Sequence, residues 1–241
     1  MSCSPMRKKY FIDFFGRILV VLLSFALYFF WPECFSVMEG MNFFRQLSPL
    51  HLLWCLWMGH MIIQLLPARR MMALGSQKFH PKLFVKGDYP NADAFRAFFR
   101  RSNQGALKVF VVWLALTAAL GVLYLTRVID AKIMLLLSVF FYLCDLICVL
   151  IWCPFRLMMR NRCCTTCRIF NWDHLMMFSI MVFIPGFFSL TLFFMSLVVF
   201  LVWEISFYLR PDFFWDRTNK ALRCSACTDK LCGNRLQKQK K

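Results

Sequence analysis

The chain has 241 residues, 60% of them hydrophobic, with 29 Lys and Arg against 12 Asp and Glu and a net charge of +17; its mean hydropathy is +0.59. A soluble globular domain is about 45–50% apolar, so an ordinary soluble enzyme is excluded, and the excess lies in long runs divided by short basic stretches, the pattern of a multi-pass membrane protein. In a soluble chain such a charge would suggest nucleic acid; beside membrane spans it reads as attraction to anionic lipid at the inner leaflet, and no nucleic-acid partner is expected.

The first apolar run, 11–31, is entered through Arg7, Lys8 and Lys9 and left through Trp31-Pro32-Glu33-Cys34. No small-residue cleavage site follows, so it reads as a retained span. The second run, 50–66, is closed by Pro67 and Arg69-Arg70. A basic loop, 67–108, comes next. Within it, Asn91 to Arg101 sets Phe95, Phe98 and Phe99 at helical spacing beside Arg96, Arg100 and Arg101. This predicts an amphipathic helix, lying on the inner leaflet or packed against protein. The third run is 109–126 and the fourth 133–153, with Asp145 inside it.

The last run, Leu175 to Leu209, is 35 residues long. One helix of that length would reach about 52 Å, against a hydrocarbon core of about 30 Å. Pro185-Gly186 interrupts the run and marks a turn. The sequence therefore predicts two helices, 172–184 and 187–209, the first short enough to be a re-entrant arm. With that hairpin, every Lys and Arg except Arg45, Arg127 and Lys132 falls on one side of the membrane, which the positive-inside rule makes the cytoplasm. The expected fold is an all-α polytopic transmembrane helical bundle of about six helices, the fifth short or re-entrant, with cytoplasmic N- and C-termini. A transmembrane domain spans 1–209 and a basic, cysteine-containing cytoplasmic tail 210–241.

Twelve cysteines are many for this length. Cys3, Cys34, Cys55, Cys144, Cys148 and Cys153 sit singly in or beside apolar runs and read as small hydrophobes. The others form Cys163-Cys164-x2-Cys167-Arg-Ile-Phe-Asn171-Trp172-Asp173-His174 and Cys224-x2-Cys227-Thr-Asp-Lys-Leu-Cys232. A Cys-x2-Cys turn lets two thiolates grip one ion, and two such turns supply a tetrahedral zinc site or an iron–sulfur cluster. The hairpin returns both segments to one membrane face. Cys164, Cys167, Cys224 and Cys227 are the first-choice ligands, with Cys163, Cys232 and His174 as further candidates. Zinc and an iron–sulfur cluster are not distinguished by the spacing. Redox-active or sensing thiols are the rival reading, and disulfides are disfavoured in a reducing cytoplasm. The two motifs, covering the last third of the chain, resemble an uncharacterised group of bacterial integral membrane proteins. The resemblance implies a bacterial plasma membrane and no activity.

Ionisable residues inside spans are costly and mark functional sites by default. Asp145 is the deepest. Glu204, His60 and Gln64 lie in the inner halves of their spans, and Asp13 and Arg17 are spaced to pair as i,i+4 neighbours. Arg17, His60 and Arg156 match Asp145 in depth. Asn171 or Asp173 is placed to cap the arm. Three functions follow. The leading one is a docking, sensing or structural protein, with a cysteine-rich metal site joining the 154–174 loop to the tail. The alternatives are a membrane oxidoreductase using an iron–sulfur cluster, and a transporter or lipid-handling protein with an inward polar pocket around Asp145 and Glu204. No nucleophile elbow, phosphate loop or zinc helix motif is present, and whether the chain is an enzyme stays open.

Overall fold

The computed structural model describes residues 5–66, 79, 84–88, 91–161, 163–227 and 231, and among these every long element is a helix. Helix α1 is Pro5–Phe30, α2 Leu50–Leu65, α3 Ala92–Leu125, α4 Ala131–Leu150, α5 Phe155–Met159, α6 Asp173–Phe178 and α7 Phe187–Leu209. Within α1, the stretch Arg7–Phe30 is long and apolar enough to cross a membrane, as are α3, α4 and α7; α2, at 16 residues, is a shorter apolar helix. Large apolar side chains stand exposed along the outer flanks, among them Ile12, Phe15 and Leu22 on α1, Val111 and Leu114 on α3, and Phe194 and Ile205 on α7. A soluble surface does not carry such bands; they fit contact with a lipid bilayer.

The last apolar run breaks where the sequence predicts. Gly186 lies so close to Met38 that a Cβ would overlap the Met38 carbonyl. Gly40 N–H donates to the Pro185 carbonyl and Phe187 N–H to the Gly40 carbonyl, both at 3.0 Å. The turn is thereby pinned to the α1–α2 connection, whose 3-10 turn, Pro32–Met38, buries Phe35, Val37 and Met38. The arm before the turn consists of α6 and a 3-10 turn, Ser179–Phe183. It rises only about 19 Å, whereas α7 rises about 34 Å. Its start, with the turns of 164–172 behind it, therefore lies inside the thickness that α7 spans. Such irregular backbone is tolerated at that depth only where protein satisfies it. Ser138 Oγ accordingly donates to the Met177 carbonyl at 2.9 Å. Trp113 Nε1 donates to Ser179 Oγ at 3.1 Å, and Thr117 and Ser179 hydroxyls share a 3.0 Å bond.

Two expectations are corrected. The amphipathic helix is not a separate element, and of its two expected settings it takes the one packed against protein. It is the first third of α3, a 34-residue helix capped by Asn91 Oδ1, which accepts from Ala94 N–H at 3.0 Å. Its aromatic face packs on protein: Phe98 stacks on Trp215 at 4.9 Å and Phe99 on Phe207 at 5.4 Å. The fourth helix ends at Leu150, before Cys153. α4 lies along α1, α2 along α7, and α6 fills the space between α4 and α7. The basic end gathers 84–88, the start of α3, α5 and the chain after α7, which meet through Gly87 N–H to the Thr218 carbonyl (2.7 Å) and Lys220 N–H to the Val85 carbonyl (2.8 Å).

Candidate functional site

Helical rise brings the intramembrane polar residues to one level. Arg17, Gln64 and Asp145 each lie about 20 Å from the far end of α1, α2 and α4, and the short arm delivers Asp173 to the same depth. Arg17 Nη1 donates to Asp145 Oδ2 at 2.8 Å, and both side chains are 14% exposed. The guanidinium also lies over the Tyr142 ring, 4.1 Å from its centre, and donates to the Tyr142 carbonyl. Arg17 thus pairs across helices and not with Asp13. Asp173 Oδ1 is 3.0 Å from His174 Nδ1, with both side chains almost fully buried. Gln64 Nε2 donates to the same oxygen at 3.5 Å. The arm's first helix has no side-chain cap, so Asp173 takes side-chain partners in place of the expected capping role. His60 sits on the exposed flank of α2, its ring 6.3 Å from that of Tyr142.

Above this cluster a cavity of about 360 Å³ is bounded by α3, α4, α5 and the arm, and its lining includes Asp145 and Asp173 in an otherwise mostly apolar wall. Glu204 does not line it. Glu204 accepts Arg168 Nε at 2.8 Å and Trp172 Nε1 at 2.7 Å, while a second Arg168 nitrogen bonds its other oxygen and Arg168 Nη1 reaches Asn103 Oδ1 at 2.6 Å. The Arg168 guanidinium lies 3.7 Å above the Phe207 ring. Glu204 is thus a pin between the 164–172 turns, α3 and α7. The expected single pocket around Asp145 and Glu204 is two separate environments.

The cysteines divide in the same way. Cys144, Cys148, Cys153, Cys164 and Cys167 all line the cavity. Cys148, Cys153 and Cys164 neighbour one another in its wall, where the turn Cys164–Thr166 packs on α4. Cys163 and Cys224 face a different cleft, of about 300 Å³, beside Arg101, Arg160 and Arg168. Among the described residues, no group of three or more His, Cys, Asp or Glu side chains is placed to hold a metal ion. Cys227 is half-buried, Cys232 lies outside the described residues, and His174 is turned to Asp173.

Sequence reading singled out Asp145 but missed the cavity wall, because Cys144, Cys148 and Cys153 look like lipid-facing filler until the arm packs against them. It also missed Arg168 as a buried ion-pair partner. The signal was there: Glu204 needs a cation at its depth, and only a re-entrant segment brings one. No protein-family model, curated protein or solved structure matches the chain.

Proposed function

We propose that this chain is a multi-pass membrane protein of lipid-handling or carrier type, which admits a small lipid-soluble molecule to the cavity between α3, α4 and the arm. One observation carries the reading: a mostly apolar cavity of about 360 Å³ has Asp145 and Asp173 among its walls. That size suits a small ligand. The carboxylates, balanced by Arg17 and His174, orient the ligand's polar end and exchange protons with it. The motif resemblance supports a bacterial plasma membrane as its site, and the charge distribution supports a cytoplasmic basic end.

The test is photolabelling of the full chain in lipid nanodiscs with an alkyl diazirine bearing a polar head. Adducts are expected on 141–156 and 164–177, and Cys144→Phe, which fills the cavity from α4, should remove them while circular dichroism keeps its helical signal. Labelling that is equal on the lipid face of α7 and indifferent to Cys144→Phe would refute the reading.

A second reading is favoured by the cleft that Cys163 shares with Cys224. There the two cysteine motifs join through a zinc ion or an iron–sulfur cluster, with Cys227 as a further ligand, and the tail is docked to the 154–174 loop. Metal analysis of the pure protein tests it: stoichiometric metal lost in both Cys163→Ser and Cys224→Ser supports a shared centre, and metal-free protein removes it.

A further inference from the structure

Cys148, Cys153 and Cys164 reach one point from three places: the last turn of α4, the loop after it and the 3-10 turn Cys164–Thr166. The 3-10 turn packs on α4, the Cys148 and Cys164 side chains adjoin that of Cys153, and all three residues line the cavity. A disulfide requires sulfurs to close to about 2 Å. Cys153 and Cys164 both lie outside α-helix, where the backbone can adjust, whereas Cys148 is fixed on α4. The pair best placed to close is therefore Cys153 with Cys164.

The rest of the wall restricts what can react there. Trp113, Phe141, Trp152, Phe155 and Phe170 line the cavity, and Trp152 is 60% exposed, so the cavity reaches the surface of the bundle. The cavity lies level with the inner part of the membrane span, where polar oxidants such as peroxides and glutathione disulfide partition poorly. Planar aromatic molecules stack on such walls. Resting on the cavity reading above, we propose that Cys153 and Cys164 form a dithiol–disulfide couple whose electron acceptor is a lipid-soluble quinone bound in this cavity.

The reaction balances. Two S–H bonds break and one S–S bond forms; two electrons and two protons pass to the quinone oxygens, giving the hydroquinone. Asp145 and Asp173 stand at the cavity to relay protons. A reductant of the thiol class then returns the disulfide to dithiol by exchange.

The experiment uses the full chain, reduced, in quinone-free nanodiscs under anaerobic conditions, with menadione as the probe. Hydroquinone formation is followed by absorbance, and thiols are mapped by isotope-coded alkylation. Stoichiometric hydroquinone with loss of alkylation at Cys153 and Cys164 is expected. Cys153→Ser and Cys164→Ser should abolish it, and Cys55→Ser, exposed on α2 and outside both clefts, should leave it unchanged. Diazirine labelling of each variant reports whether the cavity persists. Intact labelling with no hydroquinone, or oxidation confined to Cys163 and Cys224, would overturn the redox couple while leaving the cavity reading standing. Loss of diazirine labelling in the wild-type chain would overturn both.

Discussion

At the residue scale, Arg17 and Asp145 illustrate what a buried pair demands. Removing one partner strands the other charge, at about 3–5 kcal/mol. Asp145→Asn should therefore destabilise the protein more than the double change Arg17→Gln with Asp145→Asn, which leaves no orphan charge. Thermal unfolding in nanodiscs measures both, and an equal loss in the two would mean that the pair is not coupled. Asp145 was legible as a functional candidate because depth alone makes a carboxylate costly. Its partner Arg17 was legible only as one of several cations at matching depth, since helix rotation decides which of them faces inward.

At the element scale, α3 separates what hydropathy reports from what the backbone does. The switch from Phe/Arg to Val/Leu around Lys108 marks the membrane surface, and it was read as the end of one element and the start of another. No proline lies between Asn91 and Leu125, so nothing stops the helix. The glycines within it serve packing: a Cβ at Gly121 would overlap the Phe183 ring, and one at Gly105 would crowd Met159. Gly121→Leu should thus displace the arm, and the Trp113–Ser179 bond with it, lowering the thermal midpoint and opening the arm to hydrogen exchange. The Phe98–Trp215 stack makes the complementary case. Such pairs contribute about 0.5–1.5 kcal/mol beyond area burial, so Trp215→Ala should leave the bundle folded while speeding proteolytic nicking in 210–227. The hairpin at Pro185-Gly186 was legible because two helix breakers stand together in a run too long for one span. The split of the arm into α6 and a 3-10 turn was not, because Ser179 takes its hydroxyl partners from α3, far away in sequence.

At the scale of the whole molecule, the hairpin decides which end of the bundle the tail occupies. Arg168 binds Glu204 and Asn103, Phe98 stacks on Trp215, and Arg223 Nη2 donates to Asp88 Oδ2 at 3.1 Å. All of these contacts require the 84–101 segment, the 164–172 turns and the chain after α7 to share one end. The charge pattern makes the same demand independently: a single last span would carry the basic tail to the opposite side, against the positive-inside rule. Proximity and sidedness can be measured apart. The double variant Asp88→Cys with Arg223→Cys, made in a chain whose other exposed cysteines are serine, should cross-link rapidly with a short bifunctional maleimide, whereas Asp130→Cys with Arg223→Cys should not. Reporter fusions after residue 241 and within the loop near residue 90 should both read cytoplasmic. Cross-linking with two extracytoplasmic reporters would invert the protein but keep its fold. Reporters on opposite sides, with no cross-link, would remove the hairpin itself, and with it the arm that brings Asp173 to Asp145 and Cys164 to Cys153.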